Sequence, residues 1–87
     1  MARVWIPAPM RQLTGGLETI IVPGARVKHL IDELDRLYPG IRDRLCTGDD
    51  LRPGIAVIVD GEVARLGLLK PVADDSEVHF LPAIGGG

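Results

Sequence analysis

The sequence predicts an α+β fold, a mixed sheet of four to five strands with one main helix packed on one face. Three observations predict it. Alternating apolar stretches near both ends of the chain read as strands. One stretch of 3.6-residue periodicity lies between them, and Asp60-Gly61 interrupts a run of strand formers as a hairpin turn. At 87 residues the chain is one domain, and a domain of this size buries only about two thirds of its unfolded surface.

Arg3 to Pro7 is the first predicted strand, with Val4 and Ile6 on one face and Arg3 and Trp5 on the other. Pro7 and Pro9 forbid a central ladder there and end it. Met10 to Gly16 is a turn region, and Leu17 to Val22 is the second strand of a hairpin. After Pro23-Gly24 the period changes. Val27, Leu30, Ile31, Leu34 and either Leu37 or Tyr38 form one stripe of an amphipathic helix over Arg26 to Tyr38. Lys28, Asp32, Asp35 and Arg36 face away from it, and Asp32 and Arg36 stand at the i,i+4 spacing of an ion pair. Pro39-Gly40 stops this helix, and Ile41 to Leu45 continues the stripe as a short turn of helix.

Thr47 to Gly54 reads as a polar loop. Ile55 to Val59 is almost purely apolar, so both of its faces are expected to be covered. Glu62 to Arg65 returns from the Asp60-Gly61 turn, Gly67 to Asp75 connects, and Glu77 to Leu81 is the last strand. Val78 and Phe80 share one face of it, His79 and Leu81 the other. One helix covers one sheet face only, so the opposite face, carrying Trp5, His79 and Leu81, is the candidate partner surface, the alternative being an ordinary scatter of singly exposed apolar residues.

Composition excludes several function classes. The net charge is −2 and the basic residues are scattered, without the basic face that nucleic acid requires. Aromatic residues make up 3%, too few for base-stacking platforms. No apolar run approaches the roughly 20 residues of a membrane span, and the first residues do not read as a secretory leader, so a cytoplasmic location is expected. The single cysteine, Cys46, permits no intrachain disulfide and reads as a small buried residue.

No catalytic constellation or metal site is visible. Ser76 is the only serine, and His29 and His79 have no partner motif. Asp49-Asp50 and Asp74-Asp75 lack the ligand spacing of a calcium loop. Gly15-Gly16 lacks the strand–helix context of a phosphate loop. The most informative stretch is Phe80-Leu81-Pro82-Ala83-Ile84-Gly85-Gly86-Gly87, strand-forming residues that run into a side-chain-free arm. Glycine loses the most backbone entropy on ordering, so such an arm suits a carboxylate that must reach into something narrow. The expected division is a domain over 1–82 and a tail over 83–87.

These residues resemble a family. Ile6-Pro7, the Arg11 to Gly16 segment with Leu13-Thr14-Gly15-Gly16, Tyr38-Pro39-Gly40-Ile41, Val57-Ile58-Val59-Asp60-Gly61 and the Phe80 to Gly87 tail are together similar to the ubiquitin-like β-grasp sulfur carriers of the MoaD/ThiS family. The start and the Leu81-Pro82-Ala83-Ile84 tail look closest to its CysO-like branch. The third glycine, Gly85, departs from a family pattern that ends in two glycines after a small residue.

The resemblance implies a protein cosubstrate rather than an enzyme, with no bound cofactor. An E1-like enzyme would use ATP to adenylate the Gly87 carboxylate, and a sulfur donor would convert it to a thiocarboxylate. Gly85, Gly86 and Gly87 would enter the partner's active site, while Phe80, Leu81, Pro82 and Ile84 would grip its surface. A biosynthetic enzyme would accept the sulfur for cysteine, molybdopterin, thiamine or another thio-metabolite. Two other readings share the fold: a protein modifier conjugated through Gly87, and a non-covalent β-grasp binding module.

Overall fold

The computed structural model describes residues 1–82. Five strands form the main sheet in the order β2-β1-β7-β5-β6. They are β1 (Ala2–Trp5), β2 (Thr19–Val22), β5 (Ile55–Val59), β6 (Glu62–Val63) and β7 (Glu77–Pro82). β1 and β7 run parallel at the centre, with Val4 opposite Val78, and the other pairs are antiparallel. This is the predicted mixed sheet, a ubiquitin-like β-grasp. α1 (Val27–Leu37) packs on one face, followed by the short α2 (Ile41–Leu45).

Strand alternation sends Val4, Val22, Val57, Val78 and Phe80 to the helix side, where each is at most 2% exposed. Leu30, Ile31 and Leu34 of α1 and Ile41 of α2 meet them and are fully buried. Each such side chain contributes about 1.5–3 kcal/mol relative to exposure. At the end of the stripe Leu37 is exposed, and Tyr38 packs on the core instead. Asp60 and Gly61 both have positive φ, 51° and 87°, as the predicted type I′ hairpin between β5 and β6 requires.

Several local expectations are revised. The expected Asp32–Arg36 pair does not form: Arg36 binds Glu33, and Asp32 Oδ1 accepts from Arg42 Nη1 at 2.9 Å. The cause is the turn at Gly40, which folds α2 back along α1. Asp35 is therefore not merely solvent-facing. Its Oδ1 accepts the backbone N–H groups of Gly40 and Arg42, both at 3.1 Å, and caps α2 from outside. The Thr47 to Gly54 loop contains a small ladder, β3 (Cys46–Thr47) against β4 (Asp50–Leu51). The segment before β2 is a 3-10 helix over Ala8–Thr14 rather than a plain turn. β5 is buried on one face only: Val57 and Val59 are inside, Ala56 and Ile58 half-exposed. β6 ends at Val63, two residues short of the expected return strand.

Candidate functional site

β7 occupies the centre of the sheet and leads directly to the glycine arm. At Val78 and His79 it is held on both sides, by β1 and by β5. Beyond His79 only β5 accompanies it, and the last paired residues are Pro82 and Ile55. The β1 ladder ends there because the chain continues into Pro7, which has no N–H to donate. The root of the arm is thus fixed on one side and open on the other.

Alternation along β7 separates two environments. Val78 and Phe80 lie in the core at 0% and 2% exposure, whereas His79 is half-buried and Leu81 is 48% exposed on the opposite face. Phe80 therefore does not stand out as a gripping side chain. It belongs to the core, because it shares the parity of Val78, and reaches the surface at the bottom of shallow grooves near the end of β7. Leu81 is positioned on the surface as expected. Pro82 closes the strand. Ile84, Gly85, Gly86 and Gly87 lie outside the described residues.

The uncovered face is ordered by register. Thr19, Trp5, His79, Ile58 and Val63 stand side by side across the five strands, and Leu81 lies opposite Ala56 in the next row. The rings of Trp5 and His79 have centroids 5.1 Å apart at an interplanar angle of 37°. The Trp5 indole Nε1–H donates to Glu77 Oε1 at 3.3 Å, which pins the ring along the face. Ile58, Val63 and Leu81 extend this apolar surface toward the β6 edge and the root of the arm. Trp5, His79 and Leu81 share the face as the sequence predicts. Ile58 and Val63 join them through the β5–β6 hairpin, a signal present in the alternation but masked by the uniformly apolar composition of β5.

Chemistry within the domain is limited. The Ser76 hydroxyl is buried and committed: it donates to Asp60 Oδ2 at 2.8 Å and accepts the Ala73 N–H at 2.8 Å. Cys46 is buried, and its burial raises the thiol above the ordinary range, which disfavours the thiolate. Among the described residues no group of three or more His, Cys, Asp or Glu could hold a metal ion. No described helix is long and apolar enough to cross a membrane.

Comparison with known proteins gives concordant matches. The pattern of the ThiS family matches residues 4–87. The sulfur carrier protein CysO of Mycobacterium tuberculosis is 34% identical over 91 residues, spanning 97% of this chain and 96% of that protein. The crystal structure of the Amycolatopsis orientalis BexX/CysO complex contains a chain that superposes with a TM-score of 0.91 at 35% identity, covering all of both chains. SAMP1 of Haloferax volcanii superposes with a TM-score of 0.77 at 26% identity, covering 99% of this chain and 98% of that one.

Proposed function

The chain belongs to the ThiS family, and from that premise we propose that it is a sulfur carrier protein whose working group is the Gly87 carboxylate. The observation that carries the proposal is the near full-length likeness to the CysO sulfur carriers, together with a family match that extends through the glycine arm.

A carboxylate is a poor acyl donor and requires activation. A carboxylate oxygen of Gly87 attacks the α-phosphorus of ATP on an E1-like enzyme, expelling pyrophosphate and forming an acyl adenylate. Sulfide adds to the carbonyl carbon and expels AMP, leaving a thiocarboxylate. Glycine suits both steps, since without a Cβ the backbone enters a tight site and the carbonyl is unhindered. A second partner, a biosynthetic enzyme, then takes the sulfur. The carrier holds no cofactor and supplies no catalytic residue. ATP is the substrate of its activating enzyme, and both partners are cytoplasmic in this reading.

The domain over 1–82 serves as the handle, and residues 83–87 serve as the arm. The Trp5–His79–Ile58–Val63 row with Leu81 is the docking face, because it is apolar, lies on the sheet side without a helix, and adjoins the root of the arm. Pro82 and Ile84 extend this contact along the arm. The carrier of the Amycolatopsis complex is likewise seen with a protein partner.

A second reading has its own support. SAMP1, a small archaeal modifier protein, shares the fold at 26% identity. In that reading a lysine amine rather than sulfide attacks the acyl adenylate. Intact mass spectrometry separates the two readings, using the protein incubated with ATP, sulfide and the activating enzyme of its host. A gain equal to exchange of one oxygen for sulfur, localised to Gly87, is the expected result. An unmodified terminus in an active mixture, or Gly87 found only in isopeptide linkage, overturns the sulfur-carrier reading.

A further inference from the structure

The two edges of the main sheet are unlike each other. β6 forms one edge, is two residues long and begins with Glu62, the short, charged kind of edge that resists pairing. β2 forms the other. Its four residues, Thr19-Ile20-Ile21-Val22, include no charge and no proline. Ile21 is 55% exposed there, and Leu17, just before the strand, is 48% exposed. The devices that keep a sheet edge from pairing are absent from this one.

The ladder with β1 decides which backbone groups the β2 edge offers. The Ile6 N–H donates to the Glu18 carbonyl at 2.8 Å, and Val4 and Ala2 stand opposite Ile20 and Val22. Hydrogen-bonded pairs alternate along an antiparallel ladder, so Glu18, Ile20 and Val22 turn their N–H and C=O groups toward β1. Arg3 agrees with this phase, since its N–H points the other way and donates to the Ser76 carbonyl at 2.9 Å. Thr19 and Ile21 therefore each direct one N–H and one C=O away from the sheet.

We propose that a second copy of this chain pairs along the β2 edge, antiparallel, about a twofold axis at Ile20. The first argument is hydrogen bonding. With Thr19 opposite the second copy's Ile21, and Ile21 opposite its Thr19, all four outward groups of each copy find a partner. A parallel pairing of the same strands calls on the N–H of residue 23, which is proline and has none. An antiparallel register with Ile21 opposite itself meets the same lack, and one with Thr19 opposite itself has to recruit Leu17, beyond the bend at Glu18. The second argument is closure. The twofold register uses the same edge on both copies, so the contact ends at two chains instead of propagating. The third is charge. The pairing sets the uncharged Thr19 beside Ile21 and covers an exposed apolar side chain. Glu18, the nearest charge, is opposite the second copy's Val22, and the two Glu18 carboxylates lie at opposite ends of the contact.

The axis is normal to the sheet, so the two five-stranded sheets join into one of ten strands. Both helix layers lie on one side of it and both Trp5 faces on the other. The two β7 strands run in opposite directions, and each Trp5 face remains open to a partner. The proposal concerns the β2 edge alone and is independent of the chemistry assigned to Gly87.

The contact is short, four residues a side, so a weak dimer is expected. In sedimentation equilibrium of the full chain, the mean mass should rise from one chain toward two between about 10 μM and 1 mM. Ile21→Lys puts a charge on an exposed edge position and should raise the dimer Kd at least about tenfold with the amide spectrum of the fold retained. Register is read by disulfide trapping. Thr19 and the second copy's Ile21 would have Cα atoms about 5.5 Å apart, within disulfide range, whereas two copies of either residue would stand about 8 Å apart. A mixture of Thr19→Cys and Ile21→Cys proteins should therefore cross-link to the mixed dimer by mass, faster than either protein alone. Cys46, 6% exposed, is common to every sample and sets the background. A mass of one chain at every concentration overturns the proposal. So does cross-linking of a single variant as fast as the mixture, which would mean another register. Thr19 and Ile21 amide signals that move only when the activating enzyme is added would assign the edge to a strand of that enzyme and also overturn it.

Discussion

Ser76 and Asp60 are joined by a 2.8 Å hydrogen bond from the serine hydroxyl to the carboxylate, tying the β5–β6 turn to the start of β7. The same carboxylate accepts the Glu77 N–H at 2.9 Å, and the Asp60 N–H donates to the Glu77 carbonyl at 2.9 Å. A turn residue thus fixes where the central strand begins, and through it the position of the arm.

This clamp predicts a pH dependence. The Glu77 N–H first, then the Ser76 hydroxyl, hold the Asp60 carboxyl below its ordinary value. A group with a lowered native value stabilises the fold above its unfolded pKa of about 3.9 and loses that contribution as pH falls through the native value. Asp60→Asn should therefore lower Tm at pH 7 and flatten the loss of stability on acidification below about pH 4. An unchanged acid profile would remove Asp60 from this role. Ser76→Ala, which removes the acceptor of the part-buried Ala73 N–H, should cost about 0.5–1.5 kcal/mol in denaturant unfolding.

Gly24 is a second structural pivot. A Cβ at this position would stand 2.8 Å from Leu30 Cδ2 and 3.1 Å from the Leu30 backbone nitrogen. Leu30 is fully buried and cannot yield freely. Gly24→Ala should destabilise by about 1–3 kcal/mol, and a midpoint equal to wild type would show that α1 shifts to make room.

The Trp5 face should act on partner recognition with little effect on stability. Leu81→Glu places a charge on an already exposed position. It should leave Tm within a degree or two and raise the KM of the activating enzyme for the carrier about tenfold, equivalent to about 1.4 kcal/mol. Unchanged kinetics would move the docking face elsewhere.

On the proposed sulfur-carrier reading, Gly87→Ala puts a methyl beside the carbonyl that is activated. Circular dichroism should be unchanged and the rate of thiocarboxylate formation should fall about ten- to a hundredfold, the scale of a small misplacement in an active site. Equal rates would show that the activating site tolerates a side chain.

Cys46 should not carry the sulfur. It is buried at the α2–β3 junction with its thiol held in the neutral form. Cys46→Ser should cost about 1–3 kcal/mol for burying a hydroxyl yet preserve the yield of thiocarboxylate by mass. Loss of transfer with an intact fold would make the thiol a participant.

Much of this architecture is legible in the sequence, because its strongest signals are local. The Val27–Leu30–Ile31–Leu34 stripe, the Asp60-Gly61 turn and the alternation of Val78 and Phe80 each report on their own segment. What escaped depends on contacts between segments. Arg42 takes Asp32 from Arg36 only because the Gly40 turn lays α2 against α1. The two-residue β3–β4 ladder is too short to leave any periodicity. Phe80 reads equally as an anchor for a partner or as core, and only its parity with a fully buried Val78 decides. The uncovered sheet face is legible in Trp5, His79 and Leu81, while the half-exposed Ile58 is hidden by uniformly apolar neighbours.

The placement of β7 between β1 and β5 bears on how the molecule is made. During synthesis the β1–β2 hairpin, α1 and the β5–β6 hairpin emerge first, yet the two hairpins share no ladder until Glu77 to Pro82 arrives to join them. Such late, non-local closure slows folding. A chain stalled or cleaved before Glu77 is left with two half-sheets that nothing joins, and it exposes apolar surface that proteases and chaperones recognise. A folded domain is therefore a certificate that the ribosome has translated through the strand from which the arm departs.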